Sequence, residues 1–197
     1  MIHSTTKFLS GSNDHAGGAI LVKKPEDALT LENFQNSWEL KISPLEAEIL
    51  WERMQDFEER MERFNTNGTA IAHFLAAHSA VDHVYHASLS SHLSFSTAKK
   101  LLSGNGGVVS FTLKDDSEKG LRSFYDKDFS SILKAPTIGS NQTLICPYPL
   151  LTHYFDTDAV LEEIKLPRHL IRVAAGCETK IDTILADLNQ ALKRTTQ

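Results

Sequence analysis

Cysteine is nearly missing from this 197-residue chain: Cys146 and Cys177 stand far apart, with no spacing that pairs them. That argues against a disulfide scaffold and for a reducing compartment, the cytoplasm. Positive charge is also in deficit. A formal net charge of −5 leaves no basic face for a phosphate backbone, so no nucleic-acid role is expected. No apolar run approaches the roughly 20 residues of a membrane span, no charged-then-apolar leader opens the chain, and no repeat or low-complexity tract appears. The Gly-x-Ser-x-Gly elbow is absent, which weakens a hydrolase reading of Ser10 or Ser12 with Asp14 and His15. Nine histidines are present, with His78, His83, His86 and His92 crowded together. No cysteine or paired carboxylate completes a ligand set there, and no metal is expected.

What remains is an ordinary globular composition, 41% hydrophobic and 23% charged, in a chain long enough to bury a real core. Ala19 to Val22 reads as a short strand after two glycines, and Pro25-Glu26-Asp27 as a helix start. Leu45, Ile49, Leu50, Met54, Phe57, Met61 and Phe64 follow Pro44 at helical spacing. Asn65-Thr66-Asn67-Gly68 is expected to bend or end that helix, with a second helical stretch from about Thr69 to Ala77. Val81 to Tyr85, Gly107 to Leu113, Ser131 to Ala135, Leu144-Ile145 and His169 to Ala174 read as strands. Between them, Ser94 to Leu102 and the stretch from Asp116 to about Tyr125 read as helices, and a final helix follows Thr179. The pattern predicts an α/β or α+β unit with its core after about Asn65.

Near the start, Ser4 and Thr6 lie two apart, which on an extended backbone puts both hydroxyls on one face, with Lys7 beside them. Hydroxyls and an amine in that grouping suit a phosphate-bearing aldehyde. The wider segment, Ser4-x-Thr6-Lys7-Phe8-x-x-Gly11 with Asn13-Asp14 and Gly17-Gly18, resembles the lysine segment of the Cys/Met-metabolism enzymes that use pyridoxal phosphate, the cystathionine γ-synthase-like family. Further blocks follow in the family's order: Gly104 to Phe111, Ala135-Pro136-Thr137-Ile138-Gly139, and Leu170-Ile171-Arg172-Val173 with Gly176 and Glu178.

The resemblance implies the C-terminal half of a fold-type I (aspartate-aminotransferase-like) α/β enzyme. Residues 1–64 would be the tail of the large cofactor domain plus a long connecting helix, and 65–197 a small C-terminal α/β domain. It implies pyridoxal 5′-phosphate as cofactor and a small amino acid as substrate. Lys7 matches the lysine that joins the cofactor and then shuttles protons. Ser4 and Thr6 match the phosphate hydroxyls, Arg172 matches the arginine that grips the substrate carboxylate, and Thr137 keeps a hydroxyl able to hydrogen bond at the substrate site. The anion for the ring nitrogen, the stacking tyrosine and the glycine-rich phosphate turn belong to a half expected before Lys7. Family members build active sites across subunits, so a homo-oligomer or association with an N-terminal-half partner is implied.

Several positions depart from the family pattern. Ser12 stands for a histidine, Glu52-Arg53 for Arg-Gly, His86-Ala87-Ser88-Leu89 for Tyr-Pro-Gly-Leu, Gln142 for a glutamate and Ala174 for a serine. Two functional expectations follow. One is a transsulfuration enzyme, either γ-replacement on an activated homoserine or a cystathionine lyase. The other is a non-catalytic remnant or interaction module that associates with a related subunit.

Overall fold

The computed structural model describes residues 1–195. Its core is a five-stranded mixed sheet in the order β3-β4-β7-β6-β5, from Val81–Tyr85 (β3), Val108–Leu113 (β4), Ile132–Lys134 (β5), Thr143–Pro147 (β6) and Ile171–Ala174 (β7). β5 and β6 run parallel and the remaining pairs antiparallel. Side chains alternate across each strand. Val109, Phe111, Ile145, Ile171 and Val173 therefore share one face, which is sealed by three helices. These are α3 (Phe57–Ala77) through Ile71 and Leu75, α5 (Glu118–Tyr125) through Leu121 and Phe124, and α8 (Ile181–Arg194) through Ile184, Leu188 and Leu192. Arg172, Cys146 and Ser110 lie on the opposite face, in register across three neighbouring strands.

Short helices α4 (Phe95–Leu101), α6 (Tyr148–Thr152) and α7 (Asp158–Glu163) fill the connections. α5 starts on Ser117, whose hydroxyl accepts from the Gly120 amide, rather than on Asp116. The last helix starts at Ile181 after Lys180, with no side-chain cap from Thr179.

The N-terminal part is open. β1 (Ile2–Ser4) and β2 (Gly18–Ile20) form a two-stranded antiparallel ribbon, followed by α1 (Pro25–Ser37) and α2 (Pro44–Arg53), neither of which buries a residue. α2 is well started: Ser43 and Glu46 form a reciprocal capping box and Pro44 sits in the first turn.

The expected helix break falls elsewhere than the sequence suggested. The chain interrupts at Met54–Asp56, and α3 runs unbroken through Asn65-Thr66-Asn67-Gly68. Tertiary contact overrides the turn propensity of those residues. Asn65 Oδ1 accepts from the Gly106 amide at 2.7 Å, and Asn67 Nδ2 donates to Gly176 O at 2.8 Å. A side chain at position 68 would collide with the Gly106 carbonyl. What reads as a turn is a docking face of a helix.

Candidate active site

The extended backbone expected through Lys7 stops at Ser4. From Thr5 to Leu9 the chain forms a wide helical turn, interrupted at Lys7, where φ is −91° and ψ −119°. The reason is local hydrogen bonding. The Thr5 amide donates to Gly17 O at 3.0 Å, and its buried hydroxyl lies 3.0 Å from His15 Nε2, so the chain folds back on the Gly17-Gly18 segment. The same-face argument for Ser4 and Thr6 therefore fails, because one residue ends a strand and the other sits inside the turn. They remain neighbours of Lys7 by the turn itself.

Three polar groups here hold capacity in reserve. The Ser4 hydroxyl and the Lys7 ammonium have no hydrogen-bond or ion-pair partner among the described residues. Thr6 Oγ1 accepts from the Gly17 amide at 3.3 Å, which leaves its own O–H free to donate.

The backbone after Lys7 is fastened from below by Arg60 of α3, which is only 4% exposed. Its guanidinium donates to Phe8 O at 2.8 Å, Leu9 O at 3.0 Å and Arg53 O at 2.7 Å, and Nε donates to Asp56 Oδ1 at 2.7 Å. A buried cation is tolerable only when its donors are met in this way. Phe8 adds an edge-to-face contact with Phe64, ring centres 5.3 Å apart.

From the sheet side comes the 136–141 loop. Thr137 Oγ1 donates to Asn13 Oδ1 at 2.8 Å, Asn13 Nδ2 donates to Ile138 O at 3.3 Å, and the Asn141 amide donates to Gly11 O at 2.7 Å. Gly139, at φ +73°, brings the loop against the lysine backbone, since a Cβ there would lie 2.9 Å from Lys7 C. On the loop's other side Arg172 Nη2 donates to Pro136 O at 2.8 Å and Thr137 O at 3.3 Å.

Lys7, Thr137 and Arg172, separated by up to 165 residues of sequence, thus share one loop. Arg172 has no carboxylate partner among the described residues, unlike Arg53, Arg60, Arg63, Arg122 and Arg168. Its guanidinium sits over the Tyr148 ring, 4.7 Å from the centroid. Burial pushes the neighbouring Cys146 thiol up, and the Arg172 charge only partly offsets this, so Cys146 stays a neutral wall.

The family profile of the Cys/Met metabolism PLP-dependent enzymes matches residues 1–193. The chain belongs to that family. It is 31% identical over 194 residues to a cystathionine beta-lyase of Lactococcus lactis, covering 98% of this chain and 50% of that protein. It is 30% identical over 196 residues to a cystathionine gamma-synthase of Mycobacterium leprae, covering 48% of it. A solved cystathionine gamma synthase from Xanthomonas oryzae pv. oryzae, in complex with aminoacrylate and cysteine, superposes with a TM-score of 0.91 at 28% identity. That match covers 99% of this chain and 50% of the solved one. The chain spans about half the length of the curated relatives it matches.

Members of this family depend on pyridoxal phosphate, and the groups present fit its aldehyde and phosphate ends. An unpaired amine suits the first; a free hydroxyl and a half-committed one suit the second. Residues that sequence reasoning did not single out are Arg60 and Tyr148. Nothing local marks either one, because the roles of both come from contacts far along the chain. Arg53, read as a departure from the family pattern, forks onto both oxygens of Asp14 and ties α2 to the lysine segment.

Proposed function

We propose that this chain supplies the lysine- and arginine-bearing half of a pyridoxal-phosphate-dependent transsulfuration enzyme, cystathionine γ-synthase-like or a cystathionine lyase. One observation carries the reading: the Lys7 backbone and the Arg172 guanidinium both pack on the Thr137–Gly139 loop, and among the described residues the Lys7 side chain has no partner and Arg172 no carboxylate. When bound, pyridoxal 5′-phosphate supplies an electron sink for the negative charge that develops beside the substrate amino group. Ser4 and Thr6 are the residues that would hold its phosphate, through their hydroxyl hydrogens. Lys7 would hold the aldehyde end, and its amine would serve as the proton carrier at the substrate α-carbon. Arg172 docks the α-carboxylate through its planar donor fork. Thr137 acts at the same substrate site by aiming its carbonyl, and the loop it belongs to, at Arg172. The reaction class is γ-replacement on an activated homoserine by cysteine, or elimination from cystathionine, within methionine and cysteine metabolism.

The rest of the cofactor site belongs to the family's N-terminal half, carried on a separate polypeptide or encoded upstream of this sequence, and a partner subunit adds residues to it. Residues 1–64 act as the tail of that larger domain and 65–197 as the small one. Support comes from the bare N-terminal face: Ile2 is 81% exposed, Trp38 66% and Trp51 67%. An open groove of about 690 Å³ runs between the β1–β2 ribbon and α1, lined by Ile2, Ile20, Val22, Leu31, Phe34 and Leu40. Apolar surface of this kind marks an interface. The same face supports a second reading, a non-catalytic subunit that binds a related enzyme. Two free, buried cysteines suit a reducing, cytoplasmic setting.

The test is to add pyridoxal phosphate, reduce with borohydride and map the adduct by mass spectrometry. Stoichiometric labelling at Lys7 that disappears in Lys7→Ala supports catalysis by this half. Labelling scattered over surface lysines supports the non-catalytic subunit.

A further inference from the structure

Arg172 is a long side chain on the middle strand of the sheet, with no acid among the described residues to fix it. A carboxylate grip needs its fork aimed before the ligand arrives, because ordering a long side chain at binding weakens affinity. Two constraints supply the aim. Nη2 is occupied by the carbonyls of Pro136 and Thr137, and one face of the guanidinium plane is covered by the Tyr148 ring. No oxygen among the described residues engages Nη1 or Nε, and the fork's remaining contact is with the neighbouring Cys146 thiol.

Tyr148 is itself held firmly. It lies between Pro147 and Pro149, its amide donates to Leu170 O at 3.1 Å, and its ring meets the edge of His153. His153 Nδ1 donates to Asp156 Oδ2 at 2.8 Å, and Arg168 donates to Asp156 O at 2.7 Å. Two prolines remove backbone freedom around the tyrosine, so the ring is a fixed platform.

We infer that Tyr148 is a positioning residue: its ring face orients the Arg172 guanidinium so that its free edge receives the carboxylate of an amino acid. The inference rests on the proposed role of Arg172. Tyr148 touches no ligand in this scheme. Its hydroxyl is dispensable and its ring is not.

The experiment uses the whole chain labelled with 15N-arginine, with the Arg172 Nε–H signal assigned by its loss in Arg172→Lys. In the free protein, Nε relaxation reports an ordered guanidinium in the wild type and in Tyr148→Phe, and a mobile one in Tyr148→Leu and Tyr148→Gln. Titration with L-alanine then shifts the same signal saturably in the wild type. Loss of a cation–π contact raises the Kd about 2- to 5-fold in the Leu and Gln variants, and Phe restores it. Unchanged order and unchanged Kd in both variants overturn the part given to Tyr148, while the Arg172 grip stands. Absence of any saturable shift in the wild type overturns the grip itself, and the inference with it. A fold-wide loss of signal dispersion in one variant leaves the other to decide.

Discussion

Asn13 and Thr137 are bonded to each other across 124 residues of sequence: the threonine hydroxyl donates to Asn13 Oδ1 at 2.8 Å, and the asparagine amide answers by donating to the Ile138 carbonyl at 3.3 Å. This clasp joins the segment that carries Lys7 to the loop that holds Arg172. Asn13 sits at φ +59°, a conformation asparagine tolerates better than most residues.

Asn13→Gly keeps that backbone and deletes the clasp, so it loses about 1–2 kcal/mol for two hydrogen bonds. Asn13→Ala loses more, since alanine is also strained there. Thr137→Val and Asn13→Gly together lose less than the sum of the two, with a coupling of about 1 kcal/mol in a double-mutant cycle by denaturant unfolding. Strict additivity would show that the clasp does not operate in solution.

Arg60 has a larger expected effect. Arg60→Met removes the cation but strands the carbonyls of Phe8, Leu9 and Arg53. Asp56 is 59% exposed, so no buried charge is left unpaired, and the loss comes from the carbonyls, about 1–3 kcal/mol for each one that water does not reach. Hydrogen exchange at the Ser10 and Gly11 amides, which bond back to Thr5 and Lys7, rises more than exchange in the β4–β7 core. Arg60→Lys recovers only part of the loss, because an ammonium does not reproduce the fork. Protection of those amides unchanged in Arg60→Met would sink the assignment.

Gly68 allows two principles to be weighed against each other. Alanine in a helix interior gains about 1 kcal/mol over glycine by propensity. Here a methyl group would meet the Gly106 carbonyl and the Gly107 Cα, which are backbone and do not swing away. Overpacking of this kind costs about 1–3 kcal/mol, so Gly68→Ala is net destabilising. A lower urea midpoint at unchanged slope is the expected readout. A higher midpoint would mean that the Asn65–Gly68 face does not dock on the 104–107 turn.

That same stretch shows where the sequence was legible and where it was not. Prolines at 25 and 44 and the alternating Val109, Phe111, Ile171 and Val173 announce their elements locally. Asn65-Thr66-Asn67-Gly68 announces a turn and is a helix, because its partners Gly106 and Gly176 lie about 40 and 110 residues away. The site divides in the same way. Lys7, Thr137 and Arg172 sit in recognisable blocks, and the structure brings those blocks to one loop. Arg60 and Tyr148 fall outside those blocks. Only the folded chain gives the first its carbonyls and the second its guanidinium. The Ser4–Thr6 alternation misled because a buried hydroxyl, Thr5 with His15, bends the strand early.

His86 gives the fold a pH dependence whose sign follows from its surroundings. The side chain is buried, 3% exposed, at the junction of β3 and the turn before β4. Nε2 donates to Gly106 O at 3.2 Å, and Nδ1 accepts from the Ser88 amide at 3.3 Å, so the neutral ring is the one that fits. Burial pushes its pKa below the ordinary 6.5; the Gly106 carbonyl opposes the shift, and nearby His92 and His73 add to it. Below pH 6.5 the unfolded chain therefore binds a proton that the folded chain refuses. Stability falls as pH drops through that window and levels off below the folded-state value. His86→Gln removes this slope, so the difference between wild type and variant is largest near neutrality and shrinks towards pH 5. Parallel stability curves for the two proteins from pH 7.5 to 5 would show that His86 is not held neutral.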